Sequence, residues 1–398
     1  LTAAHLHKQL RDQIPAMLAD IERLVRIDSG TADRAGVARV IEAVGARLTD
    51  HGFALSGPAS GGLQATLRCG EGPRLLLLGH ADTVWPAGTA AQWPPRQAHG
   101  MLSGPGVGDM KGCLVMAIHA IAAAAADPDA THGIGEIELL LVADEEQGSV
   151  ASRGWIEQRA RRAGACFGLE AGWPGGGIVV ARGAVGSLRV VARGVSAHCA
   201  GHEGEGASAV ATLAPLVNRL ESLSDRPSGA IVTVGTFHGG VARQVVPDHA
   251  ELQLDLRAPD EATADRMLEA IATVVAQAND GAVQVELHGG ITRPPFPREA
   301  SAALHDLAND CARELGLEIQ PIASRGGSDA SFAAALGIPT LDGLGPICHD
   351  SCARGERIEI ASLADRGALM ACMIARLAQQ WRVGDAQARA WGNVDAPA

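Results

Sequence analysis

Four short runs in the chain place acids and histidines directly after apolar segments, at spacings that could assemble a metal site. Gly79-His80-Ala81-Asp82-Thr83 follows the apolar run Arg74-Leu-Leu-Leu-Leu, and Asp144-Glu145-Glu146 follows Glu136-Ile-Glu-Leu-Leu-Leu-Val-Ala143. Gly168-Leu-Glu170-Ala-Gly172 adds an acid after a further apolar stretch, and Ile347-Cys-His349-Asp350 adds a late histidine. Imidazole and carboxylate donors suit zinc in a nitrogen and oxygen site rather than a thiolate cage. A ligating histidine generally donates its second ring N–H to an acceptor, and Asp82 is placed to serve His80 in that way. Adjacent carboxylates such as Glu145 and Glu146 can divide roles, one binding a cation while the other accepts a proton from water. Each run alone also has a plain reading, as a satisfied strand-end histidine or a solvated acidic turn. Their recurrence after successive strands is what is specific.

Between the first two runs lies Ser103-Gly-Pro-Gly-Val-Gly-Asp109-Met-Lys-Gly112. A glycine-rich loop opening into a helix can cradle phosphate. This one fits neither the dinucleotide fingerprint nor the Walker loop, since no Lys-Ser/Thr follows and Asp109 would repel an anion. The alternatives are a backbone passing close to a metal that Asp109 coordinates, and Asp109 as an ordinary helix cap. The eight cysteines are spread from Cys69 to Cys372 and read as free buried thiols. Cys348 and Cys352, flanking His349, are the one alternative for a small thiolate zinc site, but no second cysteine pair accompanies them.

The elements that must position these residues alternate. Leu6, Leu10, Ile14, Leu18, Ile21 and Leu24 form one helical stripe, and Val37, Ile41, Val44 and Leu48 a second. The runs at 74–79 and 136–143 are short and continuously apolar, as strands buried on both faces are, and the Ala- and Met-rich segment 112–126 between them reads as the crossover helix of a βαβ unit. From Gly183 the pattern becomes strand 186–193, helix 207–220, strand 231–237, strand 250–257, helix 261–277 and strand 282–287, the βαββαβ order of a ferredoxin-like unit. Arg293-Pro-Pro-Phe-Pro297 closes it, and helices at 304–315 and 360–381 flank a short strand at 338–341. The smaller unit reads as inserted into an α/β domain.

At 398 residues, with 47% apolar and 20% charged residues, the chain predicts two soluble domains. A net charge of −12 excludes a nucleic-acid partner that would need a basic face. No stretch is expected to reach the ~18 apolar residues of a membrane span. The amino end lacks a basic region and cleavage site, which predicts a cytoplasmic protein, while Leu1, not an initiator, leaves room for a removed leader.

The ordered set His80-x-Asp82, Gly106-x-x-Asp109-x-Lys111-Gly112, Asp144-Glu145-Glu146, Glu170 and His349 resembles the M20 metallopeptidase family, which includes glutamate carboxypeptidase, acetylornithine deacetylase and succinyl-diaminopimelate desuccinylase. The resemblance covers nearly the whole chain. It implies a zinc-dependent exopeptidase-like catalytic domain, residues 1–182 and 295–398, with an inserted lid and dimerisation domain at 183–294. It further implies two zinc ions per subunit, with cobalt or manganese as alternatives. His80 and Glu170 would hold one, Glu146 and His349 the other, and Asp109 would bridge them, while Asp82 would orient His80 and Glu145 would be the general base.

In the inserted domain, Ser196-Ala-His198 matches the lid histidine that stabilises the oxyanion in a partner subunit's site, which implies a homodimer. Asp255-Leu-Arg257 and Gly326-Gly327-Ser328-Asp329 resemble segments that hold a substrate carboxylate, and Arg293 is a further candidate. The chain departs from the family at Arg243-Gln244, where asparagine is common before a Val-Pro or Ile-Pro pair, and at Arg325, where glycine is frequent and a guanidinium can pair with a second substrate carboxylate. The segment 348–352 lacks the glycines and the Ser/Thr after histidine of many members. The implied activity is hydrolysis of a short peptide or N-acyl amino acid that ends in an acidic residue such as glutamate. An acetylornithine-type deacetylase is the alternative. A metal-dependent binding protein without catalysis would lack the base or a ligand, and neither is missing.

Overall fold

The computed structural model describes residues 2–58, 61–201, 205–279 and 281–383. It has a mixed α/β fold in two units: Leu1–Ala181, Phe296–Ala323 and Ser328–Ala398 make the larger, Arg182–Pro295 and Ser324–Gly327 the smaller.

The larger unit is built on a six-stranded sheet in the order Ala54–Ser56, Leu63–Arg68, Glu136–Val142, Arg74–His80, Ala163–Gly168, Thr340–Leu341. The strand Arg74–His80 lies between two parallel neighbours, Glu136–Val142 and Ala163–Gly168, so all three carboxyl ends open on one edge of the sheet. Their predominantly apolar character has a direct cause. Leu75, Leu77, Leu139, Leu141, Ala165 and Phe167 face one core, and Leu76, Leu78, Leu140, Val142 and Cys166 face another. Side chains alternate across a strand, so a strand covered on both faces needs no polar position.

The crossover helix spans Gly112–Ala125, and most of its side chains are buried. With the turn before it, Val107–Ala125 is long and apolar enough to cross a membrane, which corrects the expectation that no stretch reaches that length. It lies 89% buried inside this unit, as a core helix does. The amino-terminal stripe is also divided, into Ala3–Asp12 and Ile14–Val25. Pro15 stands in the first turn of the second helix, where its missing N–H costs nothing.

A small sheet that the hydropathy pattern does not signal orders Cys348–His349, Arg357–Glu359, Met101–Ser103 and Arg96–Ala98. Its strand Arg357–Glu359 lies between the His349 strand and Met101–Ser103, the strand that leads into the glycine-rich loop.

The smaller unit has a four-stranded antiparallel sheet ordered Ile231–Gly239, His249–Ala258, Ala184–Arg193, Gln284–Arg293. Helices Ala209–Glu221 and Glu261–Ala276 share its core through Leu213, Leu216, Leu220, Met267 and Ile271, packed with Leu188, Val190, Leu252 and Leu254.

Candidate metal centre

His80 is the last residue of its strand and is fully buried. Strand alternation does not bring Asp82 to it, because the strand stops at His80. The chain turns instead, and Nδ1 of His80 lies 2.9 Å from the backbone carbonyl of Asp82 and 3.4 Å from its carboxylate. That carboxylate does more than orient a ring. It accepts from the backbone N–H of Glu145 at 3.1 Å and of Glu146 at 3.2 Å, and from the Thr31 hydroxyl at 2.6 Å. One buried acid therefore ties the end of one strand to the turn Glu145–Gln147 that follows the next. Asp144 pins the same turn from its other side, accepting from Ala151 N at 2.8 Å and Ser152 Oγ at 2.5 Å.

Asp109 reaches the opposite ring nitrogen, with Oδ1 at 3.0 Å from His80 Nε2. Its backbone belongs to an irregular turn, Val107–Lys111, that precedes the crossover helix. Gly106 takes a left-handed φ of +69° there, and a Cβ on Gly108 would stand 2.2 Å from Cys348 Sγ, so glycine is required at both positions. Lys111 is buried and donates to the Ile27 carbonyl at 2.8 Å.

Donor atoms of His80, Asp109 and Glu146 all lie within 4.8 Å of one another. The electrostatics of the group are those of a cation site. Burial opposes charge on His80, but the hydrogen bonds of Asp109 and Asp82 and the charges of Asp109 and Glu145 outweigh it and raise its pKa well above the ordinary value. Burial, then the nearby Asp109 charge, pushes the Glu146 carboxyl up to about 9, and the same two causes raise Glu170 well above the carboxylate range. Glu146 Oε1 is buried without a hydrogen-bond partner among the described residues. Crowded, half-buried acids and an orphaned oxygen fit a divalent ion, which would satisfy that oxygen and offset the mutual repulsion.

The other expected residues are placed differently. Glu170 follows the third parallel strand, and its carbonyl accepts from Gly345 N at 2.8 Å. His349 is outside the compact group; its Nε2 lies 2.8 Å from Glu359 Oε1, a carboxylate partner that the sequence reading did not identify. Ser351 Oγ and Cys352 Sγ instead donate to Asp109 Oδ2, at 3.1 and 3.2 Å. All eight cysteines are free, but not all are buried as expected, since Cys199 and Cys352 are exposed and Cys69 half-buried; Cys348 packs on the glycine loop.

In the smaller unit, His198 is exposed on the two-residue strand Ala197–His198, which pairs with Val245–Val246 just after the exposed Gln244. Arg257 is engaged: its Nε and Nη2 donate to the two carboxylate oxygens of Asp255 at 2.7 and 2.8 Å, and its Nη1 to the Arg325 carbonyl at 3.1 Å. Arg325 is exposed, whereas Arg293 is buried beside Gly327. Arg182, also missed, donates to the carbonyls of Gly326 at 3.0 Å and Gly327 at 3.3 Å and so holds that loop.

Residues 76–376 match the model of Peptidase family M20/M25/M40. The chain is 26% identical over 352 residues to carboxypeptidase G2 of Pseudomonas sp. strain RS-16, covering 85% of this chain and 84% of the relative. It is 30% identical over 376 residues to succinyl-diaminopimelate desuccinylase of Cereibacter sphaeroides, covering 87% and 94%. The crystal structure of aminopeptidase PepT from Bacillus cereus superposes with a TM-score of 0.70 at 23% identity, over 91% of this chain and 98% of that one, which shows a shared fold.

Proposed function

The chain belongs to Peptidase family M20/M25/M40 and is a metallopeptidase-type amidohydrolase, and on that premise we propose that it is a di-zinc enzyme releasing a C-terminal acidic residue, such as glutamate, from a short peptide or N-acyl amino acid. The observation that carries this reading is the close group of the buried His80 with the half-buried Asp109 and Glu146, with Glu145 presented by the same turn as Glu146. In this reading His80 and Glu170 hold one ion, Glu146 and His349 the other, and Asp109 both. Glu359 beside His349 is the kind of carboxylate partner that a ligating histidine uses.

Zinc supplies a Lewis acid that polarises the scissile carbonyl and makes water acidic enough to be deprotonated near neutral pH. Glu145 takes the proton from the attacking water and returns it to the leaving amine nitrogen. Asp82 keeps Glu145 in register with His80, because its carboxylate holds the backbone N–H of the base. The smaller unit acts as a ferredoxin-like lid and dimerisation domain, residues 183–294. His198 donates to the developing oxyanion, and Gln244, Arg257, Arg293, Arg325 and Gly327 provide substrate contacts. Glu145→Ala should lower kcat by about 10²- to 10⁴-fold while elemental analysis still finds two zinc ions per chain; normal turnover would remove Glu145 from its role.

A second reading, an N-acyl amino acid deacylase of the acetylornithine type, draws on the 30% identity to a desuccinylase that acts on an N-acyl amine by its name. The two readings separate on a substrate panel. Acyl-glutamate should be turned over faster than N-acetylornithine or a succinylated diamino acid, and the reverse order would favour the deacylase.

A further inference from the structure

We propose that Glu356 is the positioning residue of the metal centre, a buried carboxylate that sets where Asp109 stands. The inference rests on the reading of Asp109 as a metal ligand. Glu356 is fully buried and directly precedes the strand Arg357–Glu359. Its Oε1 accepts from the backbone N–H of Gly108 at 2.8 Å and of Asp109 at 3.1 Å. Its Oε2 accepts from Gly106 N at 3.4 Å and from the Trp85 indole at 3.3 Å.

The convergence has a local cause. The left-handed turn at Gly106 curls the loop so that successive N–H groups point to one spot, a concavity that ordinarily takes an external anion. Here a side chain of the protein fills it. The close seat of Gly108 on Cys348 keeps the loop pressed against the segment from which Glu356 comes. The segments joined at this carboxylate are those that carry the candidate ligands. Trp85 lies five residues beyond His80, the loop ends in Asp109, and Glu356 follows His349 by seven. The backbone N–H of Asp109 is held on one side while its carboxylate faces His80 on the other. Glu356 meets Asp109 at its backbone N–H and not at its carboxylate, so it acts on the metal centre by placing Asp109.

The test is a zinc titration of metal-free wild type, Asp109→Ala, Glu356→Gln and Glu356→Ala, each with its metal-free thermal midpoint. Partners outside the ligand shell typically change metal affinity by about 10- to 100-fold, and Glu356→Ala should show a loss in that range. Glu356→Gln, which keeps one acceptor oxygen, should fall between it and wild type. Reconstitution with cobalt adds a spectroscopic check, since a displaced Asp109 should alter the visible bands of both variants. Wild-type zinc affinity in Glu356→Ala would overturn the inference even if its midpoint fell, because the residue would then be a strut of the fold alone. A Glu356→Gln protein that does not fold would overturn it for the same reason. If wild type and Asp109→Ala bind zinc equally, the functional reading fails first.

Discussion

In the larger unit Glu145, Glu146 and Asp109 are held by bonds between buried carboxylates and their backbone, whereas in the smaller unit His198, Gln244 and Arg325 are exposed, Arg257 is paired with Asp255, and Arg293 alone of the candidate arginines is buried. Asp82 fixes the turn of Glu145 and Glu146, and Glu356 fixes the loop of Asp109. His198 and Gln244 stand exposed on a short ribbon, and the Arg257 guanidinium is occupied by Asp255. A metal site needs its donors fixed before the ion arrives, because each buried acid costs free energy until a cation offsets it. A contact surface for a variable substrate needs the opposite, polar groups that stay hydrated until they bind. The contrast therefore predicts that substitutions in the two units damage different quantities.

In the smaller unit the expected damage is a loss of turnover without loss of stability. His198→Ala should reduce kcat by about 10²- to 10³-fold, as removal of one oxyanion donor does, and leave the thermal midpoint unchanged, since an exposed site usually matters by less than about 0.5 kcal/mol. A drop in both would break the comparison. Asp82→Ala should do the reverse. Zinc affinity should weaken by about 10- to 100-fold, and unfolding in urea should show about 1–3 kcal/mol lost for buried N–H groups left unpaired. Asp255→Ala sharpens the smaller unit's side. It releases the Arg257 fork, so KM for an acidic substrate should fall by up to about tenfold, a difference of about 1.4 kcal/mol. A raised KM would show that Asp255 orients Arg257 rather than competing for it.

How far each unit was legible follows from the same contrast. Arg74–His80 and Glu136–Val142 are largely apolar runs because both faces are buried, with the buried Glu138 paired to Arg74 and Arg159, so their ends, and with them His80 and Glu145–Glu146, could be located from residues alone. The helix at 112–125 was equally plain, but the division at Gln13 was not, since the stripe from Leu6 to Leu24 continues through it. Glu356 was not legible. It sits in Ala353-Arg-Gly-Glu-Arg-Ile-Glu359, which reads as a solvated charged turn, and its partners are backbone groups some 250 residues earlier. Glu359 is hidden in the same run. Arg257 and Asp255 show the converse: two residues apart on one strand they share a face, so their pairing is legible from alternation alone.

The smallest predicted effect tests whether the burial of the larger unit has a pH signature away from the metal group. His119 lies on the crossover helix, 4% exposed, with Nδ1 at 2.6 Å from Gln13 Oε1. Burial, then the Arg47 charge, lowers its pKa below 6.5, while Asp20 acts the other way. A histidine whose folded pKa lies below its unfolded value is protonated first in the unfolded chain. The unfolded state then binds more protons, and stability falls as the pH drops through 6.5 toward the folded pKa. His119→Gln removes that proton uptake and loses the Gln13 contact equally at every pH. Wild type minus variant stability, measured by urea unfolding, should therefore shrink steadily from pH 7.5 to pH 5.5. A difference that stays constant would mean that water reaches the ring in the folded state, and that the core around this helix is less closed than its side-chain burial indicates.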